Sequence, residues 1–165
     1  MGNVFSKPRT TEYAERDPHA GVVINPLAEW EYNSFEIDNA GIYFSTFTSC
    51  IGLVVLHKGG AIAIHMGLYA NTGKIDNFGK EIYAHVKMDR VIYDIVTILS
   101  FYKISPGNIN HVLLFGIRDC WVNKYGVTIL TPIRNLFNGI LTEQDCDDGK
   151  YVVSIINGKL TATPY

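Results

Sequence analysis

Two side chains have the types and the spacing of a thiol–imidazole catalytic pair. Cys50 follows Thr48 and Ser49 directly before an apolar run, and His65 lies near the end of the next apolar run (65 − 50 = 15). The thiolate is the nucleophilic form of cysteine, and an adjacent imidazolium lowers the pKa of the thiol. The pair therefore predicts nucleophilic attack by Cys50 on an acyl carbon, with His65 as the base.

The elements around this pair are predicted to be strands. The runs 51–56 and 61–66 are continuously apolar, which is typical of strands buried on both faces. Residues 57–60 (HKGG) are a turn signal, so the two strands should be antiparallel neighbours. Cys50 and His65 then lie near the same end of the hairpin, where backbone N–H groups could hold an oxyanion.

A catalytic histidine also needs a group that orients its second ring nitrogen. Ser45, Thr46 and Thr48 lie on the preceding predicted strand and supply three hydroxyls for this role, and the sequence leaves open which of them takes it. The plainer interpretation is that Cys50 is a small buried hydrophobe and His65 a structural residue.

The stretches FSTFTSCIGLVV (44–55) and GGAIAIHM (59–66) resemble the core of the bacterial chemoreceptor glutamine deamidases (CheD). That family has Ser-Cys or Gly-Cys before an apolar strand, then Gly-Gly, then a strand that ends in His. The spacing is also similar to that of the cytotoxic necrotizing factor toxins, and the resemblance extends over residues 41–118. It implies a protein-glutamine deamidase without a cofactor or metal, acting on a target protein such as a host GTPase or translation factor. The chemoreceptor enzymes carry a threonine where Ser45 is the expected counterpart.

The first six residues, MGNVFS, fit the pattern for N-myristoylation at Gly2. A single acyl chain gives weak and reversible membrane association. Together with the resemblance, this pattern predicts a bacterial virulence effector that acts in the host cytosol or at host membranes. The alternative location is the bacterial cytoplasm, if the protein is not an effector.

Composition limits the other function classes. The formal net charge is -2 and no basic stripe appears, which argues against a nucleic-acid partner. The odd number of cysteines, three, does not form a complete disulfide framework and favours a reducing compartment or a working thiol. The remaining histidines show no metal-ligand spacing.

The pattern of elements predicts an α/β fold with a layered, sandwich-like sheet core and one or two packed helices. Residues 1–20 are expected to form a flexible arm and residues 21–165 a single catalytic domain, with substrate choice made by surface loops at 70–80 and 118–126. The predicted strands are 21–24, 30–37, 41–48, 51–56, 61–66, 110–117, 127–130, 150–156 and 158–162, and the predicted helices are 89–103, capped by Asp89, and 133–141.

Two alternatives to the deamidase remain. One is a different thiol hydrolase, such as a cysteine peptidase or amidase, that uses the same pair. The other is a non-catalytic binding module held at membranes by the acyl group on Gly2. Cys120, Cys146 and the other four histidines are weaker candidates for chemistry, and Arg118 or Asp119 are candidates to line the site.

Overall fold

The computed structural model describes residues 14–15, 21, 26–36, 41–126 and 128–165. Within them, eleven strands and three helices confirm the predicted α/β fold with a layered sheet core. The helices are α1 (Met88–Phe101), α2 (Arg118–Tyr125) and α3 (Thr131–Leu136). The strands are β1 (Ala14–Glu15), β2 (Glu31–Phe35), β3 (Ile42–Phe47), β4 (Ile51–His57), β5 (Gly60–Met66), β6 (Tyr69–Ile75), β7 (Glu81–His85), β8 (Ile109–Gly116), β9 (Leu141–Asp145), β10 (Gly149–Ile156) and β11 (Lys159–Pro164).

The largest sheet has six strands in the order β1-β2-β5-β4-β8-β9. Strand β4 lies in its middle and is antiparallel to both β5 and β8, as the turn at residues 57–60 predicted for the first pair. A second sheet, β11-β10-β3, covers one face of the first, and β6 and β7 form a separate two-stranded sheet. The core is therefore a sandwich of two sheets with helices on the outer side of the larger one.

Side chains of the central strands alternate between these two layers. Leu53 and Ile64 belong to the cluster shared with α1, whereas Val54, Ala63 and Phe115 belong to the cluster shared with the three-stranded sheet. Since both clusters are buried, β4 and β5 are covered on both faces, as their continuous apolar runs predicted.

The predicted helix 89–103 corresponds to α1, but its start differs from the expectation. The N-cap residue is Lys87, and Asp89 lies in the first turn, where its Oδ1 accepts a hydrogen bond from the Arg90 N–H. A carboxylate in the first turn still interacts favourably with the helix dipole. The buried apolar residues of the helix are Val91, Ile95, Ile98 and Leu99, and their spacing is that of a core-facing helix.

Three loop and strand predictions are wrong. Residues 70–80 are not a loop but most of the β6–β7 hairpin, whose turn is closed by Asp76 Oδ1 accepting from the Phe78 and Lys80 N–H groups. The hairpin is largely exposed on both faces, so it lacks the apolar alternation that reveals a strand. Residues 118–126 contain α2, and residues 128–130 form a turn into α3, whose start is marked by a proline in its first turn.

The structure confirms the last two predicted strands, 150–156 and 158–162, which form a hairpin. Strands β10 and β11 pair around Asn157 and Gly158, whose φ angles of 51° and 77° match the turn that an Asn-Gly pair favours. At the other end of the chain, Ala14–Glu15 pair in parallel with β2. The rest of the predicted arm, including Gly2, and the predicted strand beyond Gly21 lie outside the described residues. Among the described residues, none of the helices is long and apolar enough to span a membrane.

Candidate functional site

The structure places Cys50 and His65 on one face of the central sheet. Ile51 pairs with Met66 and Gly52 with His65, so Cys50, one residue before β4, shares the face of His65. That face is turned toward the three-stranded sheet, whose cluster includes Cys50. The two side chains are diagonal neighbours, a relation in which Cα atoms lie about 7–8 Å apart and long side chains can meet.

The imidazole of His65 is fully buried and fixed in one orientation. Its Nδ1 donates a hydrogen bond to the Leu27 carbonyl oxygen over 2.9 Å. Because a carbonyl only accepts, the ring proton sits on Nδ1 and Nε2 keeps a free lone pair. Nε2 has no hydrogen-bond partner among the described residues. Burial lowers the pKa of His65 to about 4, against the opposing effect of the Leu27 hydrogen bond, so the ring is neutral at physiological pH.

Aromatic rings enclose this imidazole. The Phe47 ring lies 4.4 Å from the His65 ring and the Phe44 ring 5.8 Å, measured between centroids. The Phe115 ring lies over Gly52, where a Cβ would come within 2.3 Å of Phe115 Cε1. Glycine at position 52 thus lets an aromatic side chain close the site from the neighbouring strand.

The thiol of Cys50 is also buried, with only 2% of the residue exposed. Burial, together with the charge of Glu29 and a hydrogen bond to it, raises the pKa of Cys50 to about 12, while backbone hydrogen bonds at Ser49 and Thr48 act in the opposite direction. Burial likewise raises the pKa of Glu29, against the effect of its hydrogen bond to Cys50. The structure therefore holds the sulfur as a protonated thiol beside a carboxylate.

Helix α2 anchors the bend that carries the thiol. Trp121 Nε1 donates to the Ser49 carbonyl over 2.8 Å, and the Ile117 N–H donates to the Cys50 carbonyl over 3.1 Å. The Trp121 side chain is itself fully buried. The backbone on both sides of the sulfur is thus held by an element that is distant in sequence.

The group that orients His65 differs from the expected hydroxyl. Leu27 supplies it through its backbone carbonyl, which also accepts from the Ser45 backbone N–H over 2.9 Å. Ser45 is half-buried and contributes to the site in this indirect way, whereas Thr46 and Thr48 are exposed. A backbone carbonyl has no side-chain signature, so the sequence offered no signal for Leu27.

Glu29 was also missed, since a single carboxylate in a predicted loop is unremarkable in a sequence. Arg118 forms ion pairs with Glu143 and Asp145 over 2.7 and 2.6 Å rather than with the thiol. The described residues contain no group of histidine, cysteine and acidic side chains that could hold a metal ion.

Comparisons of the chain with protein-family models, curated proteins and solved structures found no match.

Proposed function

We propose that the protein is a cysteine-dependent protein-glutamine deamidase, with Cys50 as nucleophile and His65 as base. The observation that carries the proposal is the state of His65. One ring nitrogen is fixed by Leu27, and the other finds no partner among the described residues and keeps its lone pair on the face of the sheet that carries the thiol. A buried polar atom without a partner is rare in proteins and calls for a reason. A catalytic base whose free ring nitrogen accepts a proton during the reaction provides such a reason.

The reaction follows the chemistry of thiol amidohydrolases. His65 Nε2 takes the thiol proton, and the Cys50 sulfur attacks the carboxamide carbon of a substrate glutamine. The backbone N–H groups at the Thr48–Cys50 bend are the candidate donors to the oxyanion. The imidazolium then protonates the departing ammonia, and water hydrolyses the thioester with His65 again as base. The product is glutamate on the target protein and a regenerated thiol.

The partner is a protein that presents an accessible glutamine, such as a host GTPase or translation factor, and the reaction requires no cofactor. Loss of a glutamine that positions water would stop hydrolysis by a GTPase. Acylation at Gly2 would keep the enzyme near host membranes through weak, reversible attachment.

The proposal is tested by treating a eukaryotic cell extract with the protein and mapping its peptides by mass spectrometry. Glutamine-to-glutamate conversion, a gain of about one dalton, should appear at a small set of sites with the wild type and disappear with Cys50→Ser and with His65→Asn. Cys120→Ser is the matched control and should keep the activity. New peptide termini without deamidation would indicate a peptidase instead, and identical extracts for wild type and Cys50→Ser would contradict any thiol hydrolase.

One observation favours a second candidate, a non-catalytic binding module. Both members of the pair are buried and neutral, with the pKa of the thiol raised to about 12 and that of the imidazole lowered to about 4. A structural core pair would have the same properties. In that case Cys50→Ala leaves the biological effect intact, whereas Gly2→Ala removes it by preventing acylation.

A further inference from the structure

The segment from Leu27 to Trp30 contacts both members of the pair. Leu27 holds His65 Nδ1, the Trp30 N–H donates to the His65 carbonyl over 2.9 Å, and Glu29 accepts the hydrogen bond of the Cys50 thiol. The segment is itself a closed turn, since the Ala28 N–H donates to the Glu31 carboxylate over 2.8 Å. The backbone on both sides of Glu29 is therefore held by the contacts of its neighbours.

Gly67 lies close to the Glu29 carboxylate and leaves room for it. A Cβ at Gly67 would lie 2.3 Å from Glu29 Oε1 and 2.4 Å from Trp30 Cε2. Trp30 has a φ of 66°, a left-handed conformation that is uncommon for a residue other than glycine. Glu29 and Trp30 thus lie directly on the backbone that follows His65, while Glu29 as a residue stays exposed to solvent.

We propose that Glu29 is a specificity-determining residue. It admits to Cys50 neutral acyl groups that carry N–H donors, and it rejects carboxylates. The proposal rests on the deamidase function for the identity of the selected group, a primary carboxamide. It rests on geometry for the selection, because Glu29 is an exposed carboxylate that lies against the backbone at Gly67 and accepts the hydrogen bond of the Cys50 thiol.

The chemistry of the two acyl groups explains the selection. An ionised carboxylate only accepts hydrogen bonds, and the NH2 group of a carboxamide offers two donors to it. The glutamate formed by deamidation offers none and carries a charge of the same sign, so it is repelled from the site. Glu29 would therefore favour entry of the substrate and departure of the product at the same position.

The test compares two alkylating reagents of nearly equal size, iodoacetamide and iodoacetate. With either one, the sulfur forms a bond to the CH2 carbon, the C–I bond breaks, iodide leaves with the bonding pair and the thiol proton goes to solvent. The ratio of the two rates at Cys50 is independent of the thiolate fraction, because that fraction affects both rates equally. Peptide-resolved mass spectrometry follows Cys50, Cys120 and Cys146 in the same sample.

We expect Glu29→Gln to lower the iodoacetamide-to-iodoacetate ratio at Cys50 by about threefold or more, and 1 M salt to reduce the difference between wild type and variant. Gly67→Ala, which pushes Glu29 away, should lower the ratio in the same direction. The ratios at Cys120 and Cys146 should not change, and absolute alkylation rates at these two thiols that equal the wild-type rates show that the variants are folded. Glu36→Gln, which removes an exposed carboxylate at the far end of β2, is the matched control and should leave the Cys50 ratio unchanged.

An unchanged Cys50 ratio in both Glu29→Gln and Gly67→Ala would overturn the role of Glu29. The measurement uses no protein substrate, so that result leaves the deamidase function as it stands. Conversely, the Cys50 ratio could change in the variants although the wild type deamidates no protein. That result would support selection by the charge of Glu29 and would refute only the deamidase function.

Discussion

At the scale of single residues, the site is defined by two groups held in their neutral forms. His65 gives this state a measurable consequence, because its pKa is about 4 in the folded protein and about 6.5 in an unfolded chain. Between these two values the unfolded chain binds more protons than the folded one. The free energy of unfolding must therefore fall as the pH falls through this window.

We predict that the titration of His65 alone lowers the free energy of unfolding of the wild type by on the order of 3 kcal/mol between about pH 6.5 and about pH 4. His65→Asn should lack this part of the pH dependence, since its amide can still donate to the Leu27 carbonyl but does not titrate. Urea unfolding at several pH values measures both proteins, and the other titrating groups cancel in the difference. Parallel stability curves for the two proteins would contradict the buried neutral imidazole.

The placement of Cys50 and His65 at the same end of the hairpin could be predicted from the sequence, because the alternation of side chains along strands and one turn determine it. The two runs flank residues 57–60, and counting from that turn brings both residues to the same end. Leu27 and Glu29 could not be predicted in this way. They reach the site through a segment that is separated from Cys50 by β2 and β3, and only the tertiary fold brings it there.

At the scale of elements, α2 determines how firmly the Cys50 thiol is held. Trp121→Phe removes the hydrogen bond to the Ser49 carbonyl and leaves a gap in the core. We predict a loss of about 2 kcal/mol of stability and faster alkylation of Cys50, because the bend before β4 loosens. Urea unfolding and peptide-resolved alkylation measure the two effects.

Tyr125→Phe is the control in the same helix. It removes the hydrogen bond from the Tyr125 hydroxyl to the Val86 carbonyl, which is remote in sequence from the bend. We expect it to cost stability without changing the alkylation rate of Cys50. Equal acceleration by both variants would show that α2 acts through overall stability and not through the bend.

The packing of β4 against β8 leads to a separate prediction. A Cβ at Gly52 meets the fully buried Phe115 ring, which is also stacked on Phe47 at 5.2 Å. Gly52→Ala should therefore cost about 2–3 kcal/mol of stability through overpacking. Gly107→Ala, where no described residue other than the chain neighbours lies within 4 Å of the added Cβ, should stay within about 0.5 kcal/mol of the wild type. Urea unfolding measures both, and equal midpoints would contradict the tight β4–β8 contact.

A helix or strand is predictable from the sequence where its buried side chains give it a recognisable pattern of apolar residues. Strands β4, β5 and β8 and helix α1 are predictable because apolar side chains there follow the geometry of the core. The β6–β7 hairpin and α2 were expected to be loops. The first is exposed on both faces, and the second buries only one of its eight residues, Trp121, so neither shows a hydrophobic period.

At the scale of the whole molecule, stability is concentrated in the middle of the six-stranded sheet. Strands β4 and β5 are covered on both faces, whereas β6 and β7 form an exposed two-stranded sheet with Phe78 88% exposed near its turn. We predict that amide hydrogen exchange is slowest in β4, β5 and β8 and fastest among the strands in β6 and β7. Hydrogen exchange read by mass spectrometry gives this order, and equally slow exchange in the hairpin would contradict it.

The burial of the three cysteines provides the most direct test of Cys50 as the nucleophile. Cys50 is buried, whereas Cys120 and Cys146 are half-buried and more accessible. The measurement is peptide-resolved mass spectrometry after reaction with a diazoketone analogue of glutamine. The CH carbon of the diazo group takes up the thiol proton, the sulfur forms a bond to that carbon, and the C–N bond breaks as dinitrogen leaves. The account predicts an adduct chiefly on Cys50, and that this adduct is lost in His65→Asn. It would be contradicted by adducts on the more exposed Cys120 and Cys146 but not on Cys50.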